Sequence, residues 1–196
     1  LRFTLVPSPL LGPAVWASTA AALRDLGHEA GVCTVEELPG DAGVLVPHSN
    51  AGYWVAGRGP TVFVDAALPP PGAVRTPLAP PGLRTFLAGL ADDDGLLPPW
   101  TRWWDDVDAL FPDAPARRAV EAEQPRLPLT WFDQEVDVPP AWAEVPSAYL
   151  AFGDTYAEET ALARSLSWPV VVIDGAHLHM LHDPAGVAAA IVSLAP

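Results

Sequence analysis

The sequence predicts an α/β domain: a mostly parallel sheet with helices on both faces, interrupted by a helical cap insertion. Three observations carry this. Short apolar, β-branched runs alternate with segments of helical periodicity. The runs lack the in–out alternation of a half-wet sheet, so both of their faces must be covered. The alternation breaks only once, over residues 69 to 147, where composition changes abruptly.

Taken in order, "RFTLV" (2 to 6) reads as a strand, and "AVWASTAAALRDLG" follows with apolar residues at helical spacing and Gly27 as a stop. Strands are expected at His28 to Val35, at Gly43 to Val46 and in "TVFVDAAL" (61 to 68). The pattern resumes with "SAYLAFGD" (147 to 154), a helix through "AEETALARSLS" and the strand "PVVVIDG" (169 to 175). Asp183 and Pro184 then suit the N-cap and first turn of a closing helix, "PAGVAAAIVSLA".

Residues 69 to 147 hold 15 of the 24 prolines and five of the eight tryptophans. Helices are expected in "PGLRTFLAGLA", "PWTRWWDDVDALF", "PARRAVEAEQ" and "PLTWFDQEV", and no strand. Residues 1–68 and 148–196 therefore make the core, and 69–147 the cap. An insertion between sheet strands lies over a sheet end, where α/β proteins bind ligands.

Composition narrows the function classes. The chain has 196 residues and a net charge of −14, and its ten basic residues are all Arg. Such a surface repels phosphate backbones and anionic lipid, which argues against nucleic-acid and membrane partners. Cys33 is the only cysteine, so no internal disulfide or cysteine-based metal cage can form. No apolar run approaches the ~18 residues of a membrane span. The chain opens at Leu1 without Met, which leaves room for a removed leader; cytoplasmic is the default expectation.

The segment "GVLVPHSNAGYWVA" (43 to 56) is the most informative. A strand stops at a sharp turn that presents Ser49 between small residues, and a helix follows. This resembles the nucleophile elbow of the α/β-hydrolases, usually G-x-S-x-G, with Pro47 and Ala51 at the glycine positions and Gly52 behind. "LVPSPLLGPAVW" resembles the strand–loop–helix that opens many members, "VFVDAALPPPG" the strand after the elbow helix, and "WPVVVIDGAHLHMLHDP" the last strand and histidine loop. The chain thus resembles a small, capped actinobacterial-type member with reduced N-terminal strands.

The resemblance implies Ser49 as nucleophile and His177 as base, within hydrogen-bond reach of each other at the carboxyl end of the sheet. It implies Asp154 as the acid, with Asp65 as the alternative location and Glu158 and Glu159 close by. A serine hydroxyl needs an imidazole to take its proton and a carboxylate to orient that ring. The oxyanion would be held by the N–H of Asn50 and by one from the first loop. There Pro9 has no N–H, so Leu10 or a shifted Ser8 would substitute. His48 and His179 are read as structural.

Trp100, Trp103 and Trp104 fall at i, i+3 and i+4, one face of an expected helix. They either form cap core or line an apolar pocket above Ser49. "HLHMLHD" has H-x-H spacing, but no further ligand loop accompanies it, so neither metal nor cofactor is expected. The leading expectation is a serine hydrolase for an ester or thioester with an apolar or polyketide-like acyl part. The alternatives are a lyase, dehydratase or cyclase on the same fold, and a non-catalytic binding protein.

Overall fold

A computed structural model describes residues 1–196. Strand β1 (Arg2–Val6) leads through a short 3-10 turn into α1 (Ala17–Asp25), then β2 (Glu29–Val32) and β3 (Val44–Ser49). Helix α2 (Ala51–Val55) and β4 (Thr61–Ala66) follow. The insertion contains β5 (Arg75–Pro77), α3 (Pro81–Leu90), α4 (Ala114–Glu121) and β6 (Glu135–Asp137). The chain returns to the sheet with β7 (Ser147–Phe152), α5 (Ala157–Ser165) and β8 (Val170–Ile173), and closes with α6 (His179–His182) and α7 (Pro184–Leu194).

The main sheet has six strands in the order β2-β1-β3-β4-β7-β8, and every pairing is parallel. The apolar runs explain its centre: all residues of β3, β4 and β7 are buried. A 33-residue apolar cluster on one side joins α1 and α7 to the cap, and a 14-residue cluster on the other holds α2 and α5. Gly27 ends α1 at φ 85°, and the Asp183 side chain caps α7 through the Gly186 N–H at 2.8 Å.

The insertion departs from expectation in two ways. It contains strands: β5 and β6 pair antiparallel and tie its two ends together, with Leu78 N–H donating to Gln134 O at 3.1 Å and Val138 N–H to Val74 O at 2.9 Å. The expected helix over 99–111 is broken into two 3-10 turns, Trp100–Arg102 and Val107–Leu110. The indoles pull the backbone toward different partners there, and Trp103 Nε1 donates back to Pro98 O at 2.8 Å. The three tryptophans therefore do not share one continuous helix face.

Candidate active site

Three strand ends converge on the site. At the end of β3, Ser49 has φ 56°, the left-handed region that a residue with a side chain avoids. The close approach behind it belongs to Gly52: a Cβ there would meet Ala67 O, because α2 lies directly on the end of β4. Ala51 and Pro47 are buried without creating that constraint.

β4 ends irregularly. Its pairing with β7 runs from Thr61 to Val64, and Asp65 then takes φ 41°. Side chains replace the missing ladder. Asp65 Oδ1 accepts the Phe152 N–H at 3.0 Å, and the Tyr149 hydroxyl accepts the Ala66 N–H at 3.0 Å while donating to Ala66 O at 2.6 Å. The kink frees Asp65 Oδ2, which accepts a 2.6 Å hydrogen bond from His177 Nδ1.

His177 follows β8 on a loop that folds back over the sheet. His48 Nε2 donates to His177 O at 3.0 Å, and the two rings lie 4.4 Å apart. Burial first, and the neighbouring His177 second, hold the His48 imidazole well below its ordinary value, against the opposing bond to the His177 carbonyl. A neutral His48 with its proton on Nε2 thus tethers the His177 loop to the strand that carries Ser49.

This tether explains a correction. Asp154, expected as the acid, lies past the end of β7 on an exposed turn, and its side chain makes no hydrogen bond. Gly153, at φ 62°, turns the chain against Gly175 O and carries Asp154 outward. Proximity of β7 to β8 does not matter, because the His48 tether draws His177 past β7 to the end of β4. Asp65, fully buried, is the carboxyl group that His177 meets.

Two further expectations change. The Ser49 hydroxyl pairs with the Tyr156 hydroxyl at 3.2 Å and not with His177. Tyr156 stands where the β7–α5 loop enters its helix, with its ring 5.6 Å from that of His177, and so competes for the serine. The Leu10 N–H, expected to face an oxyanion, is directed to Ser8 Oγ at 3.3 Å, because Pro9 forces a tight turn that the Ser8 side chain closes. The Asn50 N–H has no partner within the protein. Nothing in the sequence pattern singled out Tyr156; its position two residues beyond Asp154 was the one available signal.

Above Ser49 lies a cavity of about 750 Å³, mostly apolar, lined on the core side by Leu10, Ser49, Asn50, Tyr156 and His177. The cap side includes Trp100, Trp103, Trp104 and Phe86. Trp100 and Trp103 are buried, and Trp100 lies 5.9 Å from the His177 ring. Trp104 is 43% exposed and stacks on Phe86 at 5.3 Å, at the cavity rim. No cluster of three or more metal-ligating side chains is present. No helix is long and apolar enough to cross a membrane.

No protein-family model and no curated protein sequence matches the chain. Solved structures do. An extracellular α/β-hydrolase from a Paenibacillus species, described as sharing structural and functional homology with tobacco salicylic acid binding protein 2, is 19% identical. It superposes with a TM-score of 0.72 over 100% of this chain and 99% of its own. Tomato methylketone synthase I in complex with 2-tridecanone is 15% identical, with a TM-score of 0.63 over 98% of this chain and 96% of its own. A pyrethroid hydrolase from Sphingobium faniae is 14% identical, with a TM-score of 0.59 over the same shares. The fold is that of the α/β-hydrolases.

Proposed function

We propose that the protein is a serine hydrolase acting on an ester or thioester with an apolar acyl part. The observation that carries this is Ser49, held at positive φ on a strand-to-helix elbow and facing an apolar cavity beside the His177–Asp65 pair. A proton on His177 Nδ1, donated to Asp65, leaves Nε2 as the basic nitrogen. Rotation of the Ser49 hydroxyl from Tyr156 toward Nε2 then makes it a nucleophile, a tightening that catalytic contacts often undergo when substrate binds. Ser49 Oγ attacks the acyl carbon, and His177 passes the proton to the leaving alcohol or thiol. Water, activated by His177, releases the acid.

A second reading rests on the first loop. With Pro9 lacking an N–H and the Leu10 N–H turned to Ser8, the loop lacks the usual donor for acyl transfer. A lyase or dehydratase using His177 for proton transfer has no need of it. The two readings part in one experiment: treatment with a fluorophosphonate probe and mapping of the adduct by mass spectrometry. The hydrolase reading expects an adduct on Ser49 that Ser49→Ala abolishes. An unlabelled but folded protein that eliminates or cyclises substrate favours the lyase.

A further inference from the structure

Acyl transfer through Ser49 needs two donors for the tetrahedral oxyanion, and the first loop supplies none where the fold would place it. Pro7 and Pro9 carry no N–H, the Leu10 N–H is committed to the Ser8 side chain, and Ser8, though its own N–H is unpaired, does not line the cavity. Asn50 contributes one free N–H. Beside Ser49 the cavity wall holds another neutral donor, the phenol of Tyr156, 3.2 Å from Ser49 Oγ and without any other hydrogen bond.

Resting on the hydrolase reading, we propose that Tyr156 is a catalytic residue whose hydroxyl, with the Asn50 N–H, forms the oxyanion donor pair. As Ser49 Oγ bonds to the acyl carbon, its proton moves to His177 Nε2, and the carbonyl π electrons move onto oxygen. That oxygen takes the Tyr156 hydrogen bond that Ser49 held at rest. Collapse re-forms the carbonyl, breaks the bond to the leaving group and sends the His177 proton to it. Tyr156 keeps its own proton throughout.

The surroundings suit that role. Burial pushes the Tyr156 phenol far above its ordinary value; the Ser49 hydrogen bond opposes this, while nearby Asp65 and Glu159 add to it. The group is therefore a donor that does not ionise in the working range. Its backbone is anchored, since Tyr156 O accepts both the Thr160 N–H at 2.9 Å and the Thr160 hydroxyl at 2.8 Å. A donor already fixed in the cavity wall needs little reorganisation when charge develops.

The test compares wild type with Tyr156→Phe, which keeps the ring and removes the hydroxyl. Fluorophosphonate labelling and p-nitrophenyl ester turnover are both measured well below the melting point of either protein. Loss of one oxyanion donor typically lowers the rate ~10²–10³-fold, so kcat and the labelling rate should both fall by about that factor. KM should stay within about threefold, because the lost bond belongs to the transition state. Labelling and kcat within about threefold of wild type overturn the role of Tyr156 while leaving the hydrolase reading intact. A wild type that never labels at Ser49 overturns both.

Discussion

Asp65 and His48 divide between them the task of orienting His177. Asp65 receives the Nδ1 proton, and His48 holds the main chain of the loop. Under the hydrolase reading, Asp65→Asn should reduce turnover by about 10⁴-fold, as expected when the wrong imidazole tautomer is favoured. The fold should survive, because the Asn oxygen can still accept the Phe152 N–H. Asp154→Asn, on its exposed turn, should change turnover less than about twofold. Parallel kinetics on the two variants check this, and the reverse ranking would return the acid role to Asp154. His48 carries a pH consequence of definite sign. Its folded-state value lies below the ordinary 6.5, so above pH 6.5 neither folded nor unfolded chain holds the extra proton and stability is complete. Below pH 6.5 the unfolded chain takes up a proton that the native state refuses, and stability falls, by roughly 1 kcal/mol at pH 5.5. His48→Gln keeps a donor for the His177 carbonyl and removes the titration. Urea unfolding at pH 7.5 and 5.5 should show a smaller loss for the variant than for wild type.

The elbow and the end of β4 act as one unit at the level of secondary structure. α2 can start directly behind Ser49 only because Gly52 lets its backbone rest on Ala67 O, and Ala67 N–H donates to Ser49 O at 3.0 Å. The Tyr149 hydroxyl satisfies both polar groups of Ala66 on the other side of β4, beyond the point where the ladder with β7 stops at Val64. Gly52→Ala should therefore force α2 off β4. We expect a loss of about 3 kcal/mol, the upper end for overpacking, since the obstructing atom belongs to the backbone and cannot rotate away. Chemical denaturation measures it. A change under about 0.5 kcal/mol would show that the elbow yields more easily than its geometry implies.

At the scale of the molecule, the insertion over the sheet end leaves a mostly apolar, partly open cavity above Ser49. The two ends of the insertion are clipped by the β5–β6 ribbon, and its polar links include Arg84 with Asp133 at 2.6 Å. Those ion pairs lie at the surface and contribute little singly. The apolar contacts of Trp100, Trp103 and Phe132 hold the cap to the core. If the cavity receives an acyl chain, each methylene buried should add ~0.8 kcal/mol, about fourfold in kcat/KM, until the space is full. Kinetics on p-nitrophenyl esters of increasing chain length should rise accordingly from acetate. A flat series would assign the tryptophans to cap packing alone.

The parallel sheet and the strand-to-helix turn at Ser49 were legible in the chain because each depends on local pattern. The apolar run Val44 to Val46 marks a buried strand, which the structure extends through Pro47 and His48 to Ser49, Gly27 and Asp183 mark helix ends, and the proline-rich stretch interrupts the main sheet. Asp65 as the partner of His177 was not legible beyond being one of two candidates. The choice depends on a positive φ at Asp65, on Tyr149 completing the bonds of Ala66, and on a His48 tether spanning 129 positions of sequence. The broken Trp100–Leu110 helix and the Tyr156–Ser49 contact belong to the same category. Periodicity and capping act over a few neighbours along the chain. Which side chains meet at a sheet end is settled by packing between segments far apart in sequence, where a kink of one residue selects one carboxyl group over another.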